Sequence, residues 1–332
     1  MKNSILLALF TSLFILFACN TDNSPLSDER TMDELALQNL VNDIESSEDE
    51  DYFYSNLDEE SENNFIDPGS ADPLSLYKPI VPLRFGRIAR PLVRDIRIVF
   101  NTDTTATVLF RKEMRGVFRI LAADTSGQDT AQVYRVNKRL GHEFQRIAHF
   151  AKRGTNTDQR RGWKLIDFSM VDGQSYDFND STFVNPGLEI VKMTVQTDSM
   201  DVTITDPLDF FQTKKSVFKF VPGTEVTVKV YVENKTTNPV VFLAGTQATE
   251  LVRLHYARHR RLKNHKIRYF QWIGQEGNSN VYQGTWIIGT HFGIHHAIVD
   301  VIDNGTILDD DELVYPYRSV TWGTPYLIKR MF

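Results

Sequence analysis

Arg253, Arg258, Arg260, Arg261, Lys263, Lys266 and Arg268 crowd one short stretch, with His255, His259 and His265 between them. Positive charge at that density attracts phosphate or carboxylate groups by charge alone, which makes Arg258, Arg260, Arg261 and Lys263 the anion-binding candidates. A solvated loop and strand face would have the same composition. No nucleic-acid motif accompanies the stretch, so nucleic acid is not the expected partner. His291, His295 and His296 form the densest imidazole group and offer zinc or copper chemistry. If they lie on a strand, however, His295 and His296 point to opposite faces, and no metal site is expected. Asp303, Asn304 and Gly305, followed by Asp309, Asp310, Asp311 and Glu312, gather the oxygen ligands that calcium requires. Their spacing departs from the twelve-residue calcium loop, and a polar hairpin accounts for them equally well. For catalysis the chain has no Gly-x-Ser-x-Gly elbow, no phosphate-binding Gly-Lys-Ser/Thr loop and no His-Glu-x-x-His helix. Acids and histidines brought together only in space remain open, but a non-enzymatic protein without a cofactor is the expectation.

The one cysteine, Cys19, follows Lys2, an apolar run from Ile5 to Phe17, and Ala18; polar Asn20, Thr21 and Asp22 come next. The apolar run is too short for a permanent bilayer span and reads as a signal-peptide core over residues 1–18. An ordinary secretory signal with an incidental cysteine is the alternative. The run Leu16, Phe17, Ala18, Cys19 resembles the lipobox of bacterial lipoproteins, although Phe17 stands where that motif more often has a small residue. The resemblance implies cleavage before Cys19, a thioether-linked diacylglycerol on its sulfur and acylation of the new amino terminus. Two or three acyl chains give stable membrane attachment, where one gives only reversible binding. A lipidated sulfur also leaves no free thiol to oxidise in an exported protein. Asn20 is not the aspartate that often retains such proteins at the inner membrane, so the resemblance implies a cell-envelope location, with the outer membrane favoured over the inner.

A net charge of −6 conceals an asymmetry, because residues 20–72 carry 17 Asp and Glu against the single Arg30. That segment is net −16 and the remainder to residue 332 is net +9. A run with so many like charges buries too little apolar surface to offset its ordering entropy, so residues 19–72 are expected to be a disordered acidic tether. As a coil it would span roughly 36 to 44 Å on average and about 190 Å at full stretch, enough to lift a domain clear of the headgroups. Within it, Leu35, Leu37, Leu40, Val41 and Ile44 fall near helical spacing and predict a helix formed transiently or against a partner. The basic stretch at 253–268, or the Arg84 to Arg97 run, is an internal surface on which the acidic tail could dock.

Two units are expected beyond the tether, an α+β domain over residues 73–182 and a β-sandwich over 183–332, the chain as a whole being mainly β. In the first, Arg84, Arg87, Arg90, Arg94 and Arg97 recur at steps of three or four with Phe85, Ile88, Leu92 and Ile96 between them, which predicts an amphipathic helix broken at Pro91. Ala106 to Phe110 and Val117 to Leu121 then read as a hairpin around Gly116, and Gln132–Val136, Phe144–Phe150 and Trp163–Met170 as further strands. This order of elements resembles the cone of nuclear-transport-factor-2-like domains, which implies a small-ligand pocket in this unit.

Beyond Asn185, Pro186 and Gly187 come short strands separated by turn residues. Val226, Val228, Val230 and Val232 alternate with polar neighbours, as they should on a strand with one face buried. Strands are expected at Leu188–Thr197, Val202–Thr205, Val240–Leu243, Leu251–Tyr256, Ile267–Ile273, Tyr282–Ile288, His296–Ile302 and Val320–Ile328. The spacing argues for an antiparallel sandwich, and the region resembles the immunoglobulin-type modules of bacterial exported proteins. Trp272, Trp286, Trp322 and Phe270 would fill the centre that a disulfide and tryptophan fill in antibody domains. Together these features lead to a membrane-anchored binding or scaffold protein, its partner an envelope protein or an anionic glycan. A small-ligand-binding lipoprotein with its pocket in the 73–182 unit is the alternative.

Overall fold

The computed structural model describes residues 25–42, 64–65, 80–124, 132–176, 187–242, 245–258 and 266–330, and the protein is mainly β. Helix α1, Pro25–Asn42, opens the described chain. Three long strands follow the two-residue β1, Asn64–Phe65: β2, Val81–Thr102; β3, Thr105–Asp124; and β4, Gln132–Lys152. After a 3₁₀ turn at Gln159–Gly162 come β5, Trp163–Ser169, and β6, Val171–Ser175.

The second half contains β7, Leu188–Thr197; β8, Met200–Ile204; β9, Phe211–Gln212; β10, Phe218–Phe220; and β11, Glu225–Asn234. It continues with β12, Glu250–Arg258; β13, Lys266–Tyr269; β14, Gln271–Glu276; and β15, Ser279–Ile287. Strand β16, Gly293–Asp303, the short helix α2, Asn304–Leu308, and β17, Ser319–Ile328, complete the chain.

A 12-stranded sheet runs β1-β2-β3-β4-β6-β17-β16-β12-β13, with β10 beside β17, β5 beside β4, and β9 beside β5. A second sheet of five strands, β14-β15-β11-β7-β8, packs on part of the first. Val226, Val228, Val230 and Val232 of β11 meet Val252, Leu254, Val299, Val301 and Trp322 across that interface. The expected sandwich is thus present, and its inward valines are those that alternate in the sequence. Strand β6 pairs with β17, so residues on both sides of the expected 182/183 boundary belong to one sheet.

The large sheet also curls on itself. Phe85 of β2, Phe118 and Ile120 of β3, and Leu140 of β4 share a core with Ile302 of β16, Ile307 and Leu308 of α2, and Tyr315 and Tyr317. Strands that are distant in the sheet order therefore meet face to face, leaving one surface of β16 for the roll and the other for the sandwich. On β3 and β4 the even-numbered residues point into the roll. They are apolar toward both ends, with Lys112, Lys138, His142 and Arg146 buried along the way.

The expected helix over Arg84–Arg97 is strand β2. Its register slips between Pro91 and Val93, a bulge of the kind proline permits, so the inward side changes from Phe85, Arg87 and Ala89 to Ile96, Ile98 and Phe100. The arginines therefore fall on both faces of the strand, Arg87 inward and Arg84, Arg90 and Arg97 outward, and Ile88 is left exposed. The order of elements behind the cone-fold resemblance is therefore not the order observed. Gly116 makes no turn either, and β3 runs unbroken through it. A Cβ there would stand 2.0 Å from the Ile88 carbonyl oxygen, so the glycine allows β2 to approach closely.

Part of the expected tether is also ordered, since α1 lies on the sheet. Ala36, Leu37 and Leu40 are buried against Val108, Phe150 and Trp163. The spacing that singled out Leu37, Leu40 and Val41 is the buried stripe, whereas Leu35 is exposed. Among the described residues no helix is long and apolar enough to cross a membrane.

Candidate functional site

Strand β13 belongs to the large sheet and β14 to the small one, so the chain changes sheets through Phe270 alone. The Phe270 amide donates to the Val252 carbonyl at 2.9 Å, and its ring lies over Gly284, where a Cβ would come within 2.2 Å of the ring. Beside this crossing a cleft of ≈ 850 Å³ opens between the sheets, reaching Asn304 and Ile307 at its far side. Arg268, Tyr269 and Gln271 are exposed on its rim, with Trp272 half-buried among them.

Polar contacts fix the wall. The Trp272 indole N–H donates to Asn280 Oδ1 at 3.2 Å, and Asn280 Nδ2 donates to the Gln247 carbonyl at 2.9 Å and to Glu250 Oε2 at 3.1 Å. Tyr282 Oη donates to Glu250 Oε2 at 2.6 Å, and the Thr249 hydroxyl donates to Glu250 Oε1. Burial pushes the Glu250 carboxyl above its ordinary range, against the opposing effect of these hydrogen bonds. Asn304 holds the opposite wall by donating to the Val240 and Ala248 carbonyls, each at 3.1 Å. The result is a largely fixed recess with rings on its walls and rim and a few oriented polar groups, the composition of a small-molecule or glycan site. Phe270, Trp272 and Arg268 stood out in the sequence, but as core or basic-patch residues, and Tyr269 did not. What makes them a cleft is the single-residue sheet change, which the continuous strand expected over Ile267–Ile273 concealed.

The structure describes one of the four anion-binding candidates. Arg258 ends β12 opposite His296, while Arg260, Arg261 and Lys263 lie outside the described residues. Arg253, from the same stretch, is fully buried in the roll, and Lys266 and Arg268 are exposed. Alternation along β12 and β13 therefore divides the basic run among different surroundings. Cys19 also lies outside the described residues.

Of the metal candidates, His295 is buried, stacks on Tyr326 and has Nε2 2.8 Å from the His291 carbonyl oxygen. Among the described residues no group of three or more His, Cys, Asp or Glu side chains is arranged to hold a metal. In the acidic turn after β16 the carbonyls of Gly305 and Tyr315 accept from Lys138 Nζ at 3.1 and 2.6 Å. Glu312 accepts from the Arg139 backbone N–H at 2.6 Å, and Asp303 accepts from Asn234. Burial pulls the Lys138 ammonium down to about 8, although Asp309 and Asp303 favour its charge. The oxygen-rich turn is thus turned toward a lysine of β4.

No family model matches the chain, and no curated protein does. Among solved structures it is similar to Astrotactin-2, described as a conserved vertebrate-specific and perforin-like membrane protein involved in neuronal development. That likeness has 8% identity over 81% of this chain and 68% of that one, with a TM-score of 0.20. It is also similar to the SMP domain and paired C2 domains of Extended-Synaptotagmin 2, at 8% identity over 73% of this chain and 88% of that one, with a TM-score of 0.11. Superpositions this loose carry no argument about fold or function.

Proposed function

We propose that the chain is a lipid-anchored, non-enzymatic binding protein of the cell envelope, on the outer rather than the inner membrane, and that its ligand enters the cleft beside Phe270. The observation that carries this reading is the recess itself, in which Trp272 is held by Asn280 and flanked by exposed Tyr269, Gln271 and Arg268. Rings of this kind accept the apolar faces of sugars, amides accept and donate to hydroxyls, and an arginine rim favours acidic groups. The ligand class is therefore an anionic glycan. Anchoring rests on Cys19 and the apolar run before it. The order β12-β16-β17 facing β11-β15-β14, with β10 parallel to β17, supports reading this half as an immunoglobulin-type module.

Glu250, the buried acid on the cleft wall, accepts hydrogen bonds at both oxygens, and this supports binding over catalysis. The second reading is a small-ligand-binding lipoprotein whose pocket lies within residues 73–182, where Lys112, Lys138, His142 and Arg146 occupy inward positions. Titration of the detergent-solubilised protein with a panel of acidic oligosaccharides, followed by tryptophan fluorescence, tests the reading. Binding should weaken about tenfold in Trp272→Ala, equivalent to ~1.4 kcal/mol. The absence of binding across the panel, or equal affinity in the variant, would overturn it.

A further inference from the structure

Helix α1 begins at Pro25, close to Cys19 in sequence, and is fastened to the body by charge as well as by Leu37 and Leu40. The Asp33 carboxylate accepts from Lys152 Nζ at 3.0 and 2.8 Å and from Arg161 Nε at 2.7 Å. Glu29 accepts from Arg161 Nη2 and Asn156 Nδ2, both at 2.5 Å, and the Arg30 guanidinium lies over the Phe100 ring. The receiving turn has unusual geometry. Arg160 and Arg161 are consecutive non-glycine residues in the left-handed region, with φ of 55° and 52°. Such conformations persist only where surrounding contacts hold them, and here Arg161 is held by two acids of α1.

We infer that α1 is a latch that fixes which end of the protein faces the membrane. The inference rests on the lipid anchor at Cys19 proposed above. However they are arranged, the six residue steps from Cys19 to Pro25 reach at most about 22 Å, and the helix adds about 6 Å before Glu29. A body held through α1 therefore stands close to the bilayer. The Arg153–Gly162 loop faces the phospholipid headgroups, and Arg153, exposed on it, meets their phosphates. The same geometry assigns the other end. Ile294, at the start of β16, packs against the cluster that holds α1, whereas Asn304, just after the end of that strand, lines the cleft. Ten residues of strand separate them by roughly 30 Å. The cleft is consequently presented away from the membrane, toward ligands arriving from the far side.

Two measurements test this. With Cys19 acylated, a cysteine introduced by Thr157→Cys or Leu313→Cys is the only free thiol and takes a fluorophore. On vesicles containing an acceptor-labelled phospholipid, transfer from position 157 should exceed transfer from 313 several-fold, and the difference should collapse in Leu37→Asp, which drives α1 off its apolar seat. Equal transfer from both positions in the parent would overturn the orientation. In a non-acylated Cys19→Ser chain, nitroxides on Leu35→Cys, exposed on α1, and Thr157→Cys should give one narrow distance distribution that broadens in Leu37→Asp and in Asp33→Arg. A broad distribution in the parent overturns the latch and leaves the anchor standing. A narrow distribution in a protein that fails to float with vesicles overturns the anchor, and the orientation with it, while the latch stands.

Discussion

Arg87 and Asp300 are 213 positions apart, on strands β2 and β16, and are joined by two parallel hydrogen bonds of 2.8 and 2.7 Å. Asp300 is buried and also accepts from Arg253 Nε at 2.8 Å and Ser319 Oγ at 2.9 Å; Arg87 Nε donates to Tyr317 Oη at 2.7 Å. Burial alone would raise the Asp300 carboxyl, but the two guanidinium groups hold it well below the carboxylate range. The pair closes the curl of the large sheet across two halves of the chain that looked separable. Removing one partner of a buried pair typically costs 3–5 kcal/mol. Because Arg253 remains beside Asp300, Arg87→Ala should lose about 3 kcal/mol, read as a lower urea midpoint, and Arg87→Lys about half as much, since a lysine cannot make both bonds. An unchanged midpoint in Arg87→Ala would mean that the curl does not depend on this pair.

Legibility in the sequence followed how local the cause was. The sandwich strands were readable because each buries one face, and period-2 alternation such as Val226 to Val232 records that directly. The Arg84–Arg97 segment was misread because its arginines lie on both faces of a strand, with Arg87 drawn inward to Asp300, so that spacing in the sequence did not mark a face. Gly116 looked like a turn, but its cause is the Ile88 carbonyl on the neighbouring strand, which no local pattern reveals. The stripe of α1 was legible, whereas its seat was not, because Lys152 and Arg161 are distant in sequence and lie outside both basic stretches that stood out. The cleft depends on a sheet change at one residue, below the resolution of periodicity. Its polar wall at Glu250 and Asn280 carried no motif at all.

Lys138 gives a pH signature with a definite sign. Its ammonium is lowered to about 8 by burial, from an ordinary value near 10.5. Between those values the unfolded chain binds a proton that the folded chain has released, so this group makes stability rise with pH across that window. Below pH 8 it contributes a constant penalty. Lys138→Met removes the titration, and the stability difference between variant and parent should shift in the parent's favour by about 3 kcal/mol between pH 7 and 11. Urea unfolding at a series of pH values measures it, and a difference that stays flat across the window would exclude a depressed Lys138.

Gly284 is predicted to be intolerant of any side chain. A Cβ would stand 2.2 Å from the ring of Phe270, a residue buried in the sandwich core and tied by its amide to the Val252 carbonyl. Gly284→Ala should cost about 1–3 kcal/mol as an overpacking change, and displacement of Phe270 should widen or block the cleft. Oligosaccharide affinity should therefore fall in a variant that still folds. Phe270→Leu, which shortens the pin, should recover part of the lost stability when added to Gly284→Ala. If the double variant is no better than the single one, the clash lies elsewhere.

Release of α1 should follow acid, with Asp33 as the titrating group. Burial raises its carboxyl, but hydrogen bonds from Lys152 and Arg161 outweigh burial and hold it below its ordinary value of 3.8. A group depressed in the folded state contributes stability that is fully present above its unfolded value and lost as pH falls through the folded one. Docking is therefore expected to be insensitive to pH from neutrality down to about 5 and to weaken only below about 4. Asp33→Asn keeps the shape of the side chain but removes the charge that Lys152 and Arg161 answer, so its α1 should be loosened already at pH 7, with little further change in acid. Hydrogen exchange of the α1 amides, corrected for the intrinsic pH dependence of exchange, distinguishes the two. Equal protection in parent and variant at pH 7 would show that Leu37 and Leu40 hold the helix without help from the ion pair, and salt would then leave the latch closed.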